Sequence, residues 1–247
     1  MKSTYLNLFA LGFFLIILSS CKKEEGMDIY LAIGQSNMAG RATIPSDLSA
    51  PLDGVYLFTG EGWEPARNPL NIYSSIRKDS SMQRLSPAYG FARKIRSLSH
   101  RDIGLVVNAK GGSSIHEWMP GTPFFDEIVK RAKKAEESGT LKGVIWHQGE
   151  SDVREADQYL ELMKTLIVEL RNALDQKDLP FVAGQVSEAK VERKDFNKMI
   201  LELPNEVPFT GVVPSFGSTT FDSTHFDSPS QVLLGERYAD QMRLLLQ

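Results

Sequence analysis

The sequence has 247 residues and only one cysteine, Cys21, so a disulfide within the chain is excluded. No apolar run reaches the roughly 20 residues that a membrane-spanning helix needs; residues 8–18 form an apolar run of 11. The four histidines include no pair at zinc-type spacing, so we expect no metal. With no disulfide and no metal, the fold must be stabilised by a hydrophobic core.

The chain also has no large excess of charge of either sign. It contains 28 Lys and Arg and 31 Asp and Glu, for a formal net charge of −3. This mildly acidic balance argues against nucleic acid as a partner. The sequence shows no internal repeat, low-complexity tract or linker that would divide a domain. We therefore expect one domain over residues 28–247.

The N-terminal segment has the pattern of a secretory signal peptide over residues 1–20, with Lys2 before the apolar run. The small residues before Cys21 resemble the lipobox of bacterial lipoproteins, which implies a lipid on Cys21; an ordinary signal peptide with an incidental cysteine is the alternative. Residues 21–27 would be a tether, and their Lys-Lys-Glu-Glu is similar to the surface-export signal of some Gram-negative lipoproteins. We expect a bacterial envelope protein, held at the outer membrane or cell surface by its lipid alone.

Apolar, β-rich runs alternate with helical patterns along the rest of the chain. This alternation predicts a three-layer α/β/α fold with a central, mostly parallel five-stranded sheet. Ligands in such folds bind at the carboxyl ends of the strands. The predicted strands are residues 29–33, 55–58, 103–107, 143–146 and 181–186, and the predicted helices are residues 87–98, 124–137, 154–174 and 228–246.

The first predicted strand ends in Gly34, and small polar residues follow it. A glycine permits a sharp turn, which would put Ser36 at the start of a helix. A serine there is either a nucleophile or simply a helix cap, and this stretch alone favours the cap.

Two glycines, Gly111 and Gly112, follow the third predicted strand. Their backbone N–H groups are sterically accessible, as an oxyanion hole requires, although a Gly-Gly pair is more often just a turn.

The fourth predicted strand runs into Trp146, His147, Gln148 and Glu150. A buried Gln148 amide would offer fixed N–H donors, and Glu150 could accept a proton or orient a base. A charged loop around a structural tryptophan is the alternative.

Near the C-terminus, Asp222 and His225 are three residues apart, just before the last predicted helix. One short turn would bring the carboxylate beside the imidazole, as in a catalytic triad with Ser36. A metal-ligand pair is the less favoured alternative.

These stretches resemble the SGNH hydrolase superfamily, and within it the carbohydrate acetylesterases related to sialate O-acetylesterase and to acetylxylan esterases of carbohydrate esterase family six. The resemblance covers nearly the whole chain from about Asp28, and implies the flavodoxin-like SGNH hydrolase fold. One departure is Ser113, where many relatives have threonine. The similar blocks are residues 34–40 (GQSNMAG), 110–114 (KGGSS), 146–152 (WHQGESD) and 222–225 (DSTH).

The resemblance implies a role for each matching residue and requires no cofactor. Ser36 would be the nucleophile and His225 the base, with Asp222 as its partner and Glu150 as partner or helper. The backbone N–H groups of Ser36 and Gly112 would form the oxyanion hole together with the Gln148 amide. The residues expected to contact the substrate are Gln35, Asn37 and Trp118.

The implied activity is release of acetate from an acetylated polysaccharide or oligosaccharide, and acetylxylan is the expected substrate. Trp63 and Trp118 are candidates for stacking on sugar rings. Sialate O-acetylesterase, a lipase of the same superfamily and a catalytically silent glycan-binding surface lipoprotein are the alternatives.

Overall fold

The computed structural model describes residues 26–77 and 79–247. The predicted signal peptide, Cys21 and residues 22–25 of the predicted tether lie outside the described residues. The first strand begins at Met27, so the last tether position already belongs to the sheet.

A single sheet runs through the centre of the described chain, and its strand order is β3-β2-β4-β1-β5-β6-β7. All neighbouring strands are parallel except β3, which is antiparallel to β2 at one edge. The strands are β1 (Met27–Gly34), β2 (Val55–Phe58), β3 (Trp63–Pro65), β4 (Ile103–Ala109), β5 (Gly139–His147), β6 (Phe181–Gly184) and β7 (Thr210–Val213).

The predicted mostly parallel sheet is confirmed, but the predicted number of five strands is wrong. The sheet has seven strands, because β3 and β7 extend it at its two edges. Both strands are short, with three and four residues, and β3 ends in proline, which suits only an edge position. Neither is long enough to give a clear apolar run.

Seven α-helices occur in the described chain, and their ends carry the residues that helix termini favour. Pro87 and Pro123 stand in the first turns of their helices, where a missing N–H costs nothing. Asp227 caps the last helix by accepting from Ser230 N at 3.0 Å. The helices are α1 (Ser36–Ala39), α2 (Pro87–Ser99), α3 (Pro123–Ala135), α4 (Ala156–Ala173), α5 (Arg193–Ile200), α6 (Leu203–Glu206) and α7 (Ser228–Leu245).

Helices cover both faces of the sheet and produce two cores. Leu31 and Ile33 of β1 point into one core, which contains side chains of α3, α4 and α5. Tyr30 and Ala32 point into the other, which contains side chains of α2 and α7. Because side chains alternate along a strand, a strand with two covered faces is apolar throughout, as β1 is.

The central strand β1 lies between β4 and β5, and the three strands end at the same level. Gly34 is paired with Ala109 on one side and with His147 on the other. The loops that follow these three strands therefore meet at one edge of the sheet, where ligands bind in folds of this type.

Candidate active site

Ser36 lies directly beyond the carboxyl end of β1, as the first residue of the short helix α1. Gln35 is the residue at the cap position, and it makes no side-chain capping bond. The Ser36 hydroxyl instead lies 3.0 Å from Nε2 of His225. The structure therefore assigns the capping position to another residue and leaves the serine hydroxyl facing an imidazole.

His225 is held by the loop that precedes α7, and Asp222 organises that loop. Oδ1 of Asp222 accepts from the backbone N–H groups of Thr224 at 3.0 Å and His225 at 2.7 Å. Its Oδ2 lies 2.6 Å from His225 Nδ1. Because an ionised carboxylate only accepts, Nδ1 carries the proton and Nε2 is left to accept from Ser36.

The carboxylate of Asp222 is stabilised in its ionised form. Burial raises the pKa of Asp222, but hydrogen bonds from the His225 backbone, the His225 imidazole and the Thr224 backbone outweigh it and lower the pKa below its usual value. The group that orients His225 is therefore negatively charged at neutral pH.

Two backbone N–H groups beside Ser36 have no acceptor among the described residues. The N–H of Ser36 is the first of its helix, where no intrahelical partner exists. Gly112 has a φ of +74°, a conformation that L-residues rarely adopt, and its N–H is also unpaired in the described chain. Both residues line a pocket of about 400 Å³ that also contains His225, so both donors are available to a ligand.

Glu150 also lines this pocket, but it belongs to a different set of contacts. Its Oε1 accepts from Asn37 Nδ2 at 2.5 Å and lies 3.6 Å from Nε2 of the buried His147. Among the described contacts none joins Glu150 to His225, whereas Asp222 bonds to His225 twice. Burial raises the pKa of Glu150, but the contacts with His147 and Asn37 lower it overall.

Gln148 does not occupy the position expected of an oxyanion donor. It is 1% exposed, and its Nε2 donates to Gln35 Oε1 and Ser113 O, each at 3.0 Å, with Asp152 as a further acceptor. Its Oε1 accepts from Tyr159 at 2.7 Å. An amide has only two N–H hydrogens, and protein acceptors occupy both in this structure, so Gln148 connects buried groups here and its oxyanion role stays a prediction.

Two of the three predicted substrate contacts have side chains that are 0% exposed, and neither residue lines the pocket. Trp118 packs against Trp146 and donates to Ser113 Oγ at 3.0 Å, so no face of its ring is open to a sugar. Asn37 is bonded to Glu150 and to the backbone around His225.

Gln35, the third predicted substrate contact, does line the pocket. Its Oε1 accepts from Gln148 and, at 3.4 Å each, from the N–H groups of Gly149 and Ser151. Its Nε2 has no acceptor among the described residues and remains able to donate.

Three basic residues that were not predicted from the sequence also line the pocket: Arg41, Lys190 and Arg193. Arg41 directly follows the first motif, and this adjacency was the available signal. Lys190 lies between β6 and α5, and Arg193 is the first residue of α5. Neither residue belongs to a recognisable motif.

Within residues 26–77 and 79–247, no group of three or more His, Cys, Asp or Glu side chains is arranged to hold a metal ion. In the same part of the chain, no helix combines the length and apolar character needed to cross a membrane.

Known proteins with similar sequences and structures include carbohydrate esterases. A probable carbohydrate esterase of Arabidopsis thaliana is 29% identical over 231 residues, which cover 84% of this chain and 86% of that protein. The crystal structure of the Arabidopsis protein matches with a TM-score of 0.81 at 27% identity, over 89% of this chain and 98% of that one.

A carbohydrate acetylesterase from Xanthomonas citri has the same fold, with a TM-score of 0.64 at 22% identity. The match covers 89% of this chain and 56% of the Xanthomonas protein. The family described as "SASA: carbohydrate esterase, sialic acid-specific acetylesterase" matches residues 26–244, which is most of the chain. The protein therefore belongs to this family of carbohydrate esterases.

Proposed function

We propose that the protein is a serine-type carbohydrate O-acetylesterase that works through an acetyl-enzyme on Ser36. The observation that carries the proposal is the line of contacts from Ser36 Oγ to His225 Nε2 at 3.0 Å and from His225 Nδ1 to Asp222 at 2.6 Å. A catalytically silent glycan-binding protein has no need of this alignment, so turnover of a chromogenic acetyl ester separates the two functions.

In the first step His225 Nε2 takes the proton of Ser36, and Oγ bonds to the acetyl carbon. The carbonyl oxygen becomes an oxyanion, which the N–H groups of Ser36 and Gly112 stabilise. His225 then gives its proton to the departing sugar oxygen. A water molecule attacks the acetyl-enzyme in the same way, and acetate leaves with no cofactor involved.

The lining of the pocket supports a short acyl group on a polar substrate. Of the residues that line it, Met82 alone has a large apolar side chain. A lipase would need an extended apolar groove for its acyl chain. A polar pocket of about 400 Å³ fits an acetyl group on a sugar better.

The substrate we propose is an acetylated polysaccharide or oligosaccharide, with acetylxylan first and O-acetylated sialic acid second. The similarity of the four motifs to acetylxylan esterases of carbohydrate esterase family six supports xylan. The description of the matched family supports sialic acid. Neither tryptophan adds support for xylan, because Trp118 is buried and Trp63 is not among the residues that line the pocket.

The test is acetate release by the chain that lacks residues 1–21. Acetylated xylo-oligosaccharides, 9-O-acetyl sialic acid and a long-chain ester are compared by kcat/KM. Ser36→Ala is the control and should lose several powers of ten in turnover while folding normally. Faster turnover of the long-chain ester would reject the acetylesterase, and wild-type turnover by Ser36→Ala would reject the serine mechanism.

We also propose that a lipid on Cys21 anchors the enzyme to the bacterial envelope, where fragments of polysaccharide arrive. The support is the order of residues 1–21 alone: a basic start, an apolar stretch and small residues before the cysteine.

A further inference from the structure

The catalytic pocket is positively charged, in contrast to the whole chain, whose formal net charge is −3. Arg41, Lys190 and Arg193 line it, and Glu150 is its one acidic residue in the described chain. The Glu150 carboxylate is already paired, since Asn37 donates to it at 2.5 Å and His147 lies 3.6 Å away. No described carboxylate is within salt-bridge distance of the three cations.

The three cations differ in what their side chains already do. The Arg193 guanidinium is used inside the protein, with bonds to Ser187 Oγ at 2.6 Å, Ser223 O at 2.7 Å and Thr224 Oγ1 at 3.0 Å. Lys190 is exposed and therefore well hydrated. Arg41 is half-buried, and half of its guanidinium has no partner.

The position of Arg41 is fixed by its Nη1 group. That group donates to Gly40 O at 2.7 Å and Met82 O at 3.1 Å. The Nη2 group of Arg41 lies over the turn formed by Gly111 and Gly112. A Cβ added to Gly111 would be 2.3 Å from Arg41 Nη2 and 3.6 Å from Ser36 Cβ. The Nε and Nη2 groups donate to no acceptor in the described residues. They form a planar pair of donors beside the nucleophile.

A partly dehydrated guanidinium without a counterion is costly, and an anion that enters the pocket offsets the cost. Burial lowers the pKa of Arg41 from its ordinary value, which reflects the same dehydration. The side chain nevertheless remains charged, as arginines do in proteins. A carboxylate matches the paired Nε and Nη2 donors in both shape and charge.

We propose that Arg41 is a specificity residue that binds a carboxylate on the sugar whose acetyl ester is cleaved. This inference rests on the proposed esterase function and changes the order of its substrates: an acetylated acidic sugar, such as a uronic acid within a polysaccharide, is placed ahead of the neutral acetylated xylose of xylan. The oxyanion itself has its own donors in Ser36 and Gly112, so Arg41 serves a second, separate anion.

The test compares three substrates that differ at one group: an acetylated methyl glucuronoside, its methyl ester and the acetylated methyl glucoside. The wild-type protein should prefer the free acid over the ester. Arg41→Met should lower that preference about ten- to a hundredfold, chiefly through KM for the acid. Arg41→Lys keeps the charge without the planar donor pair and should give an intermediate preference.

Arg154→Met is the matched control, because Arg154 is exposed and lies outside the pocket, and it should leave the preference unchanged. An equal loss on all three substrates in Arg41→Met would overturn the inference and give Arg41 a role at the acetyl group. An unchanged preference would also overturn it.

Turnover of the neutral glucoside by the wild-type protein tests the esterase function separately. If no substrate is turned over, binding of glucuronate and of its methyl ester is measured with Ser36→Ala and with Ser36→Ala combined with Arg41→Met. Tighter binding of the acid that disappears without Arg41 would uphold the carboxylate site while the esterase proposal fails. Equal binding of acid and ester would reject the site.

Discussion

Asp222 and Glu150 are both carboxylates near the catalytic pocket, but their contacts differ in kind. Asp222 bonds to the imidazole and to the backbone N–H of His225. Among the described contacts, Glu150 reaches His225 through Asn37, which donates to the adjacent Thr224 carbonyl at 3.1 Å and accepts from Phe226 N at 3.1 Å. Asp222 can therefore set the tautomer of His225, whereas Glu150 can only position its backbone.

We expect Asp222→Asn to reduce kcat by about two or more powers of ten, because an amide can donate to Nδ1 and so favour the wrong tautomer. Glu150→Gln keeps an acceptor for Asn37 and should cost roughly tenfold or less. Steady-state kinetics on one acetyl ester, with circular dichroism to check folding, compares the two variants. If Glu150→Gln is the more damaging substitution, Glu150 is the partner of His225.

Glu150 also makes stability depend on pH. Its pKa is lower in the folded protein than the ordinary 4.5, so its ionised form contributes stability above that pH, and the contribution is lost as pH falls through the folded pKa. Glu150→Gln should thus lose less unfolding free energy than wild type between about pH 6 and about pH 3.5. Denaturant titrations at the two pH values measure this, and an equal or larger loss in the variant would contradict it.

Gln148 should contribute more to the stability of the fold than to binding of the transition state. Gln148→Ala removes buried hydrogen bonds to Tyr159, Gln35 and Ser113 O. Tyr159 and Gln35 keep other partners, but the Ser113 carbonyl keeps no described donor, and a buried polar atom left unpaired costs about 1–3 kcal/mol. The unfolding free energy should fall accordingly. Gln176→Ala, which removes one bond to Glu136 at a half-buried site, is the control. A lower kcat with unchanged stability would restore Gln148 as an oxyanion donor.

At the residue scale, the sequence predicts contacts between residues that are close along the chain better than contacts between distant ones. Asp222 and His225 are three positions apart, so spacing alone suggested their contact. The direction of an amide depends on distant neighbours: Asn37 meets Glu150, Thr224, Phe226 and Gln231, none of them near it in sequence. The sequence therefore could not show that Asn37 and Gln148 are buried among protein partners, or that Arg41 lines the pocket.

Helices α2 and α7 pack through glycines, and this packing positions the loop that carries His225. A Cβ on Gly235 would be 2.2 Å from Pro87 O and 2.6 Å from Phe91 N. Both atoms belong to the α2 backbone, so the helix itself would have to move. Because α7 begins at Ser228, three residues after His225, such a shift also moves the base.

Gly235→Ala should therefore lower the unfolding free energy by about 1–3 kcal/mol, although alanine favours helix formation, and should lower kcat as well. Thermal unfolding and kinetics of the purified variant measure the two effects. Gly62→Ala is the control, because nothing lies within 4 Å of the added Cβ. A Gly235→Ala protein as stable as wild type would mean that the helices separate without cost.

The long elements were predictable because their patterns are repeated over many residues. The predicted helix at residues 87–98 corresponds to α2 (Pro87–Ser99), and the predicted helix at residues 228–246 corresponds to α7 (Ser228–Leu245). The short elements α1, β3 and β7 give no such repetition. Their formation depends on neighbours that the sheet supplies.

At the scale of the whole molecule, one edge of the sheet brings together the proposed active-site groups from distant parts of the chain. Ser36 follows β1, Gly112 follows β4, and His225 precedes α7, which covers the adjacent face. The two cores fix the strand ends, so the catalytic distances depend on the complete domain rather than on any one loop.

The last prediction concerns the N-terminal segment, for which we propose a lipid on Cys21. In a bacterial host, the full chain should partition with membranes and incorporate radioactive palmitate, whereas Cys21→Ser should do neither, because a lipid chain is the only anchor we propose. The chain without residues 1–21 should keep the melting temperature and kcat/KM of the Cys21→Ser protein. Ser20→Ala, a substitution of one small residue for another beside Cys21, is the control and should remain anchored. Membrane retention of Cys21→Ser without label would contradict the lipid anchor, and unfolding of the shortened chain would show that residues 1–21 belong to the fold.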